Sequence, residues 1–198
     1  DTYLLIRRSI EKPTYKEKLR IRSYRKADAD STVFVELKKK YKHVVYKRRI
    51  SLPEAEAVKW LSGEKHTDKH TQISNEIDYF MELYGTLHPT VFLSYEREAY
   101  YSNDGCDFRV TFDDNILCRQ EDLSLQSDVY GTPILPEGKV LMEIKCSGGI
   151  PLWMTEVLSR EKIYKTSFSK YGTAYRTLIF PQNHKMNSYN MLEVTQNA

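Results

Sequence analysis

Lys18-Leu19-Arg20-Ile21-Arg22-Ser23-Tyr24 alternates charge with hydrocarbon at successive positions. Side chains along a β-strand point to opposite faces with a period of two, so Lys18, Arg20 and Arg22 share one face while Leu19 and Ile21 share the other. Val33-Phe34-Val35-Glu36-Leu37-Lys38-Lys39-Lys40 repeats the pattern, with Val35 and Leu37 on one side and Glu36, Lys38 and Lys40 on the other. In Val44 to Leu52, Val45, Lys47 and Arg49 oppose Tyr46, Arg48 and Ile50, and pattern alone leaves open which set points inward.

Further along, Pro53 marks a helix start, EAEAVKWL has helical apolar spacing, and Gly63 is placed to end that helix. GEKHTDKHTQ reads as a polar loop carrying the surface cations Lys65 and Lys69. A second helix from about Ile73 to Tyr84 puts Ile77, Phe80, Met81 and Tyr84 on one face. Strands return from Val91 to Tyr101 and from Phe108 to Asp113, joined by a turn at Asn103-Asp104-Gly105 that signals a hairpin. Lys139 to Cys146 is another strand, with Glu143 and Lys145 on one face. Pro151 opens a helix to about Arg160, and a last helix covers roughly Ser167 to Leu178 before a polar tail.

The chain has 198 residues, enough for one full-sized core, and no run approaches the roughly 18 consecutive apolar residues of a membrane span. Cys106, Cys118 and Cys146 are odd in number and widely spaced, which argues against a disulfide framework or a zinc site and for a reducing, cytoplasmic compartment. The net charge of +3 hides an asymmetry: residues 1–50 hold 16 Lys/Arg against 6 Asp/Glu, a net +10, and the remainder holds 14 against 21, a net −7. So basic a first quarter implies an anionic partner.

A cationic strand face can simply be the solvent side of an ordinary sheet. Repetition of the pattern over several strands favours a closed antiparallel barrel, apolar outside under helices and charged inside. Converging cations repel one another unless an anion answers them, so such a bore implies a polyanionic ligand. Arginine suits bidentate contact with phosphate and lysine acts as a mobile point charge. Glu36 and Glu143 are acids among these cations; they serve either as internal salt-bridge partners or as ligands to Mg²⁺ or Mn²⁺. Tyr95, Tyr100 and Tyr101 read as packing residues. Nucleic acid is the weaker partner, because it usually adds exposed aromatics along an open groove.

The succession KLRIRSY, FVELKKKY, VYKRRISL, YEREAYY, FRVTFDDN, VLMEIKCSGGIP and SFSKY, running from about Lys18 to Tyr171, resembles the VTC domain. That domain is the polyphosphate polymerase branch of the triphosphate tunnel metalloenzymes, in the CYTH-like superfamily. The resemblance implies an α+β fold: one tunnel domain over residues 1–198, built on an eight-stranded antiparallel barrel flanked by helices. It also implies that the chain begins after the family's first strand, leaving the domain incomplete at its N-terminal side.

By the same resemblance, the protein is a metal-dependent phosphotransferase that binds ATP or another nucleoside triphosphate and passes its terminal phosphoryl group to inorganic polyphosphate. The phosphate-binding set would be Arg20, Arg22, Lys38, Lys47, Arg49, Arg97, Arg109, Lys145 and Lys170, with Arg22, Lys38 and Lys145 carrying catalysis. Glu143 would hold Mn²⁺ or Mg²⁺, and Glu36 would orient cations or assist the metal. No specific nucleic acid and no membrane contact by this chain are expected. A metal-dependent triphosphatase of the same fold and a non-catalytic polyphosphate binder are the alternatives.

Overall fold

The computed structural model describes residues 3–64, 67–68 and 70–181. Lys65, His66, Lys69, His184 and the polar tail lie outside the described residues. Those described fall into two compact units: residues up to Phe92 together with Arg119–Val129, and Leu93–Cys118 together with residues from Tyr130 onward.

In the first unit, helix α1 (Leu4–Ile10) precedes strands β1 (Tyr15–Arg22), β2 (Thr32–Tyr41) and β3 (Val44–Pro53), followed by helices α2 (Glu54–Leu61) and α3 (Gln72–Tyr84). The strands form an antiparallel sheet in the order β1-β2-β3. The even–odd alternation works here as a sorting device. Val33, Val35 and Leu37 are fully buried and join Ile50, Leu52, Ala57, Trp60, Ile77 and Phe80 in one apolar layer. Each buried aliphatic side chain contributes about 1.5–3 kcal/mol relative to exposure, and this layer fixes the parity of all three strands.

The helices are stopped and started by local chemistry. Pro53 is the N-cap of α2, and Gly63, with φ +83°, takes the left-handed position after its end. There the Gly63 N–H donates to Trp60 O at 3.1 Å and the Glu64 N–H to Lys59 O at 3.0 Å, a Schellman closure. Helix α3 begins with a reciprocal cap: Thr71 Oγ1 accepts from the Ser74 N–H, and Ser74 Oγ accepts from the Thr71 N–H. The buried Trp60 donates its indole N–H to Asp78 at 2.6 Å, pinning α2 to α3.

The second unit is organised by β4 (Phe92–Tyr101), β5 (Phe108–Arg119), β6 (Thr132–Pro133) and β7 (Leu141–Cys146). They form a four-stranded sheet in which β5 pairs β6 and β7 antiparallel. Phe108 and Val110 of β5 pack with Phe112, Met142 and Ile144 against Met154 and Leu158 of helix α4 (Leu152–Arg160). The final helix is short: α5 (Lys170–Ala174) passes into a π-helical turn over Tyr175–Ile179.

The fold is therefore α+β with antiparallel sheets, as the alternation indicates. Seven strands are present among the described residues, in sheets of three and four, and their ladders do not display the closure of an eight-stranded barrel. No helix among the described residues is long and apolar enough to cross a membrane.

Candidate phosphate-binding site

The face of the β1-β2-β3 sheet opposite its apolar layer carries two adjacent rungs of charge. Arg20 on β1 stands opposite Glu36 on β2, which stands opposite Arg49 on β3. The next rung is Lys18, Lys38 and Lys47.

Glu36 is 1% exposed and lies at the centre of the cluster. Arg20 Nε donates to its Oε2 at 2.6 Å and Arg49 Nε to its Oε1 at 2.8 Å. Lys47 Nζ lies 3.1 Å and Arg22 Nη2 3.5 Å from Oε1. Burial alone would raise the Glu36 carboxyl, but hydrogen bonds and charge from Arg20, Lys47 and Arg49 outweigh it and hold the group down to about 2. Four cations around one carboxylate leave a surplus of positive charge, and Arg20 and Lys47 keep 44% and 43% of their side chains exposed.

Aromatic rings lie against the cations of this face. The Arg22 guanidinium lies 4.9 Å from the Tyr24 ring and 5.9 Å from Phe34, and Arg49 lies 4.7 Å from Phe34. Arg22 Nη2 also donates to the Tyr24 hydroxyl at 3.1 Å, while its buried Nε has no hydrogen-bond partner. Lys18 was not among the expected phosphate contacts, yet it belongs to the lysine rung. Burial, then repulsion from Arg20, Lys38 and Lys16, brings its ammonium down to about 8.

The undecided strand β3 is resolved by its neighbours. Ile50 and Leu52 enter the apolar layer, so Lys47 and Arg49 lie on the charged face. Arg48 points the other way, donating to Glu76 of α3 at 3.1 Å beside Lys39, whose Nζ is 3.3 Å from the same carboxylate. Those two cations fasten a helix to the sheet.

The second unit builds a comparable face. Asp113 is fully buried and takes a bidentate pair from Arg97, Nε to Oδ1 at 2.5 Å and Nη2 to Oδ2 at 2.6 Å. Lys170, the first residue of α5, also donates to Oδ2. Burial raises the Asp113 carboxyl, and the hydrogen bonds and charges of Arg97 and Lys170 more than reverse this, leaving it below the usual carboxylate range. Glu143 stands opposite Thr111, and Lys145 opposite Arg109. Lys145 Nζ is 3.4 Å from Glu143 Oε1, and Arg97 Nη2 is 4.0 Å from Oε2.

Tyr100 packs edge-on against Phe112, as expected of a packing residue, but the other two tyrosines depart from expectation. Tyr95 forms a floor with Arg97 5.0 Å and Lys170 4.4 Å from its ring centre, and the exposed Tyr101 lies 4.9 Å from the Arg109 guanidinium. They brace cations instead of filling a core. Two polar atoms here, Arg109 Nε and Thr111 Oγ1, are buried without a hydrogen-bond partner.

The nine expected phosphate contacts thus divide between the units. Arg20, Arg22, Lys38, Lys47 and Arg49 share the first unit's charged face, and Arg97, Arg109, Lys145 and Lys170 belong to the second. Asp113 is the residue that sequence reasoning missed. It was expected only as the last residue of a strand, ahead of the polar Asp114-Asn115, and the continuation of β5 to Arg119 instead places it in the strand interior.

No group of three or more His, Cys, Asp or Glu side chains suited to a metal occurs among the described residues. Glu143 is 46% exposed and fits the part of a single carboxylate beneath a hard cation whose other ligands are water and substrate phosphate. Glu36 does not fit a metal, because both its oxygens are engaged by cations. The same contacts suit it to orienting Arg20 and Arg49.

In comparison with known families, the model of the VTC domain matches residues 1–179. No curated protein matches the chain.

Proposed function

The chain belongs to the VTC domain family, and from that premise, which points to a polyphosphate-related function, we propose that it is a polyphosphate polymerase-like phosphotransferase. Its substrates are then a nucleoside triphosphate such as ATP and a polyphosphate chain that accepts the terminal phosphoryl group. The observation that carries this reading is the surplus of cations on the first unit's charged face, where four surround Glu36 and one of them, Lys47, stands in a rung with Lys38 and Lys18.

Phosphoryl transfer asks a protein mainly for positioning and charge stabilisation. Arg20 and Arg49, fixed by Glu36, would present guanidinium forks to bridging and terminal oxygens, while Lys38 and Lys47 would follow the charge as it shifts. Arg22 and Lys145 would contact the transferred group; a terminal oxygen of the acceptor chain would attack its phosphorus as the bond to the bridging oxygen breaks and the nucleoside diphosphate leaves, so no protein nucleophile is needed. Arg97, Arg109 and Lys170 complete the phosphate contacts. Mg²⁺ or Mn²⁺ bound through Glu143 would neutralise charge on phosphate oxygens. The closed eight-stranded tunnel is part of this proposal, and what supports it is the gathering of Arg20, Arg22, Lys38, Lys47 and Arg49 on the face opposite the apolar layer.

Incubation with ATP and Mn²⁺ or Mg²⁺, followed by gel electrophoresis, tests the reading. A ladder of lengthening polyphosphate is the expected product. Release of orthophosphate alone would replace the polymerase with a triphosphatase, and binding without turnover would leave a polyphosphate-binding domain.

A further inference from the structure

A carboxylate removed from water is costly unless its charge is answered and its lone pairs are filled. Asp113 meets both conditions through Arg97 and Lys170. The Arg97 guanidinium is held at its fork by two hydrogen bonds and at its face by the Tyr95 ring, which also lies beneath Lys170 Nζ. An arginine side chain otherwise samples many rotamers, and this double hold selects one of them. In that orientation Nη2 is 4.0 Å from Glu143 Oε2.

Resting on the proposed function, in which Arg97 and Lys170 contact phosphate, we infer that Asp113 is a positioning residue for the reaction. It has no solvent exposure, which puts its carboxylate out of a substrate's direct reach. It acts through Arg97 and Lys170, fixing the direction of both positive groups and, by way of Lys170, holding the start of α5.

Electrostatics alone gives the opposite sign, which makes the inference testable. A negative charge beside a phosphate site weakens anion binding, so its removal would tighten binding if charge were its only contribution. Positioning makes its removal weaken binding, because the two cations lose their fixed directions.

The test is calorimetric titration of the full chain with tripolyphosphate, without metal, at low ionic strength. Asp113→Asn should raise Kd at least tenfold relative to wild type, with circular dichroism confirming the fold. In an Arg97→Gln/Lys170→Met background, where both partners are gone, adding Asp113→Asn should change Kd less than threefold. Unchanged or tighter binding by the single variant overturns the inference. If the single variant does not fold, the background pair decides: agreement within threefold supports positioning, and a larger change in either direction overturns it. Failure of the wild-type protein to bind tripolyphosphate would instead overturn the functional reading, and the inference with it.

Discussion

Arg20 and Arg49 reach the same carboxylate from strands on either side of it, Arg20 Nε bonding Oε2 of Glu36 at 2.6 Å and Arg49 Nε bonding Oε1 at 2.8 Å. Each arginine is thereby aimed by an acid that solvent cannot reach. Glu36 serves stability and site geometry together.

Glu36→Gln leaves the side-chain volume nearly unchanged and removes the charge beneath four cations. Breaking a buried pair by deleting one partner costs about 3–5 kcal/mol; the partial exposure of these cations brings the expected loss to about 2–3 kcal/mol. Urea unfolding measures it, and a change below about 0.5 kcal/mol would remove Glu36 from its structural role. The pH dependence has a definite sign. The folded carboxyl titrates near 2, below its ordinary 4.5, so its stabilisation is present above 4.5 and is lost as pH falls from there towards 2. The variant should unfold with a shallower acid slope than the wild type across that window.

Lys18 gives a prediction at the alkaline end. With its ammonium lowered to about 8 by burial and by Arg20, Lys38 and Lys16, it is charged at pH 7 and largely neutral at pH 9. Tripolyphosphate affinity should fall by about five- to tenfold over that range, and Lys18→Gln should flatten the dependence. In the unliganded protein the sign reverses: the unfolded chain still holds that proton up to 10.5, so stability gains as pH rises from about 8. Equal pH profiles for variant and wild type would discount Lys18.

Leu37 separates the two faces of one strand. It lies between Glu36 and Lys38 but is fully buried in the apolar layer. Leu37→Ala should cost about 2–5 kcal/mol in unfolding experiments and leave the Kd for tripolyphosphate of the folded protein within about twofold. A large affinity loss in a folded variant would show that the faces are not independent.

Glu143 separates binding from turnover. Glu143→Gln removes an exposed carboxylate placed beside Lys145 and Arg97. Triphosphate binding without metal should be unchanged or tighter, while metal-dependent product formation should fall at least 100-fold. Full turnover in the variant would end its assignment to the metal.

Much of this was legible in the residues themselves. The alternation in Lys18–Arg22 and Val33–Lys40 correctly assigned charged and apolar faces, because one buried side is enough to fix strand parity. Pro53 and Gly63 bounded α2 as their backbone preferences require. Strand β3 was ambiguous, since Arg48 and Arg49 are chemically alike, and it is the burial of Ile50 and Leu52, with Glu76 on one side and Glu36 on the other, that tells them apart. Helix α1 and the two-residue strand β6 were not anticipated, α1 lacking a side-chain cap and β6 containing Pro133. Asp113 was hidden because its partners lie 16 and 57 residues away in sequence. Local pattern reports the face a residue occupies, not the company it keeps there.

The sorting of β1 into two chemical faces constrains how this sequence can change over generations. One residue inserted between Lys18 and Leu19 would carry Leu19 and Ile21 onto the charged side and drive Arg20 and Arg22 into hydrocarbon. Deletion of one residue would do the same. Insertions and deletions within β1 are therefore tolerable only in pairs, whereas the connection that follows can absorb single steps at residues 23–25, ahead of the buried Ala27. Among homologues, odd length differences should collect in such connections and be purged from the strands.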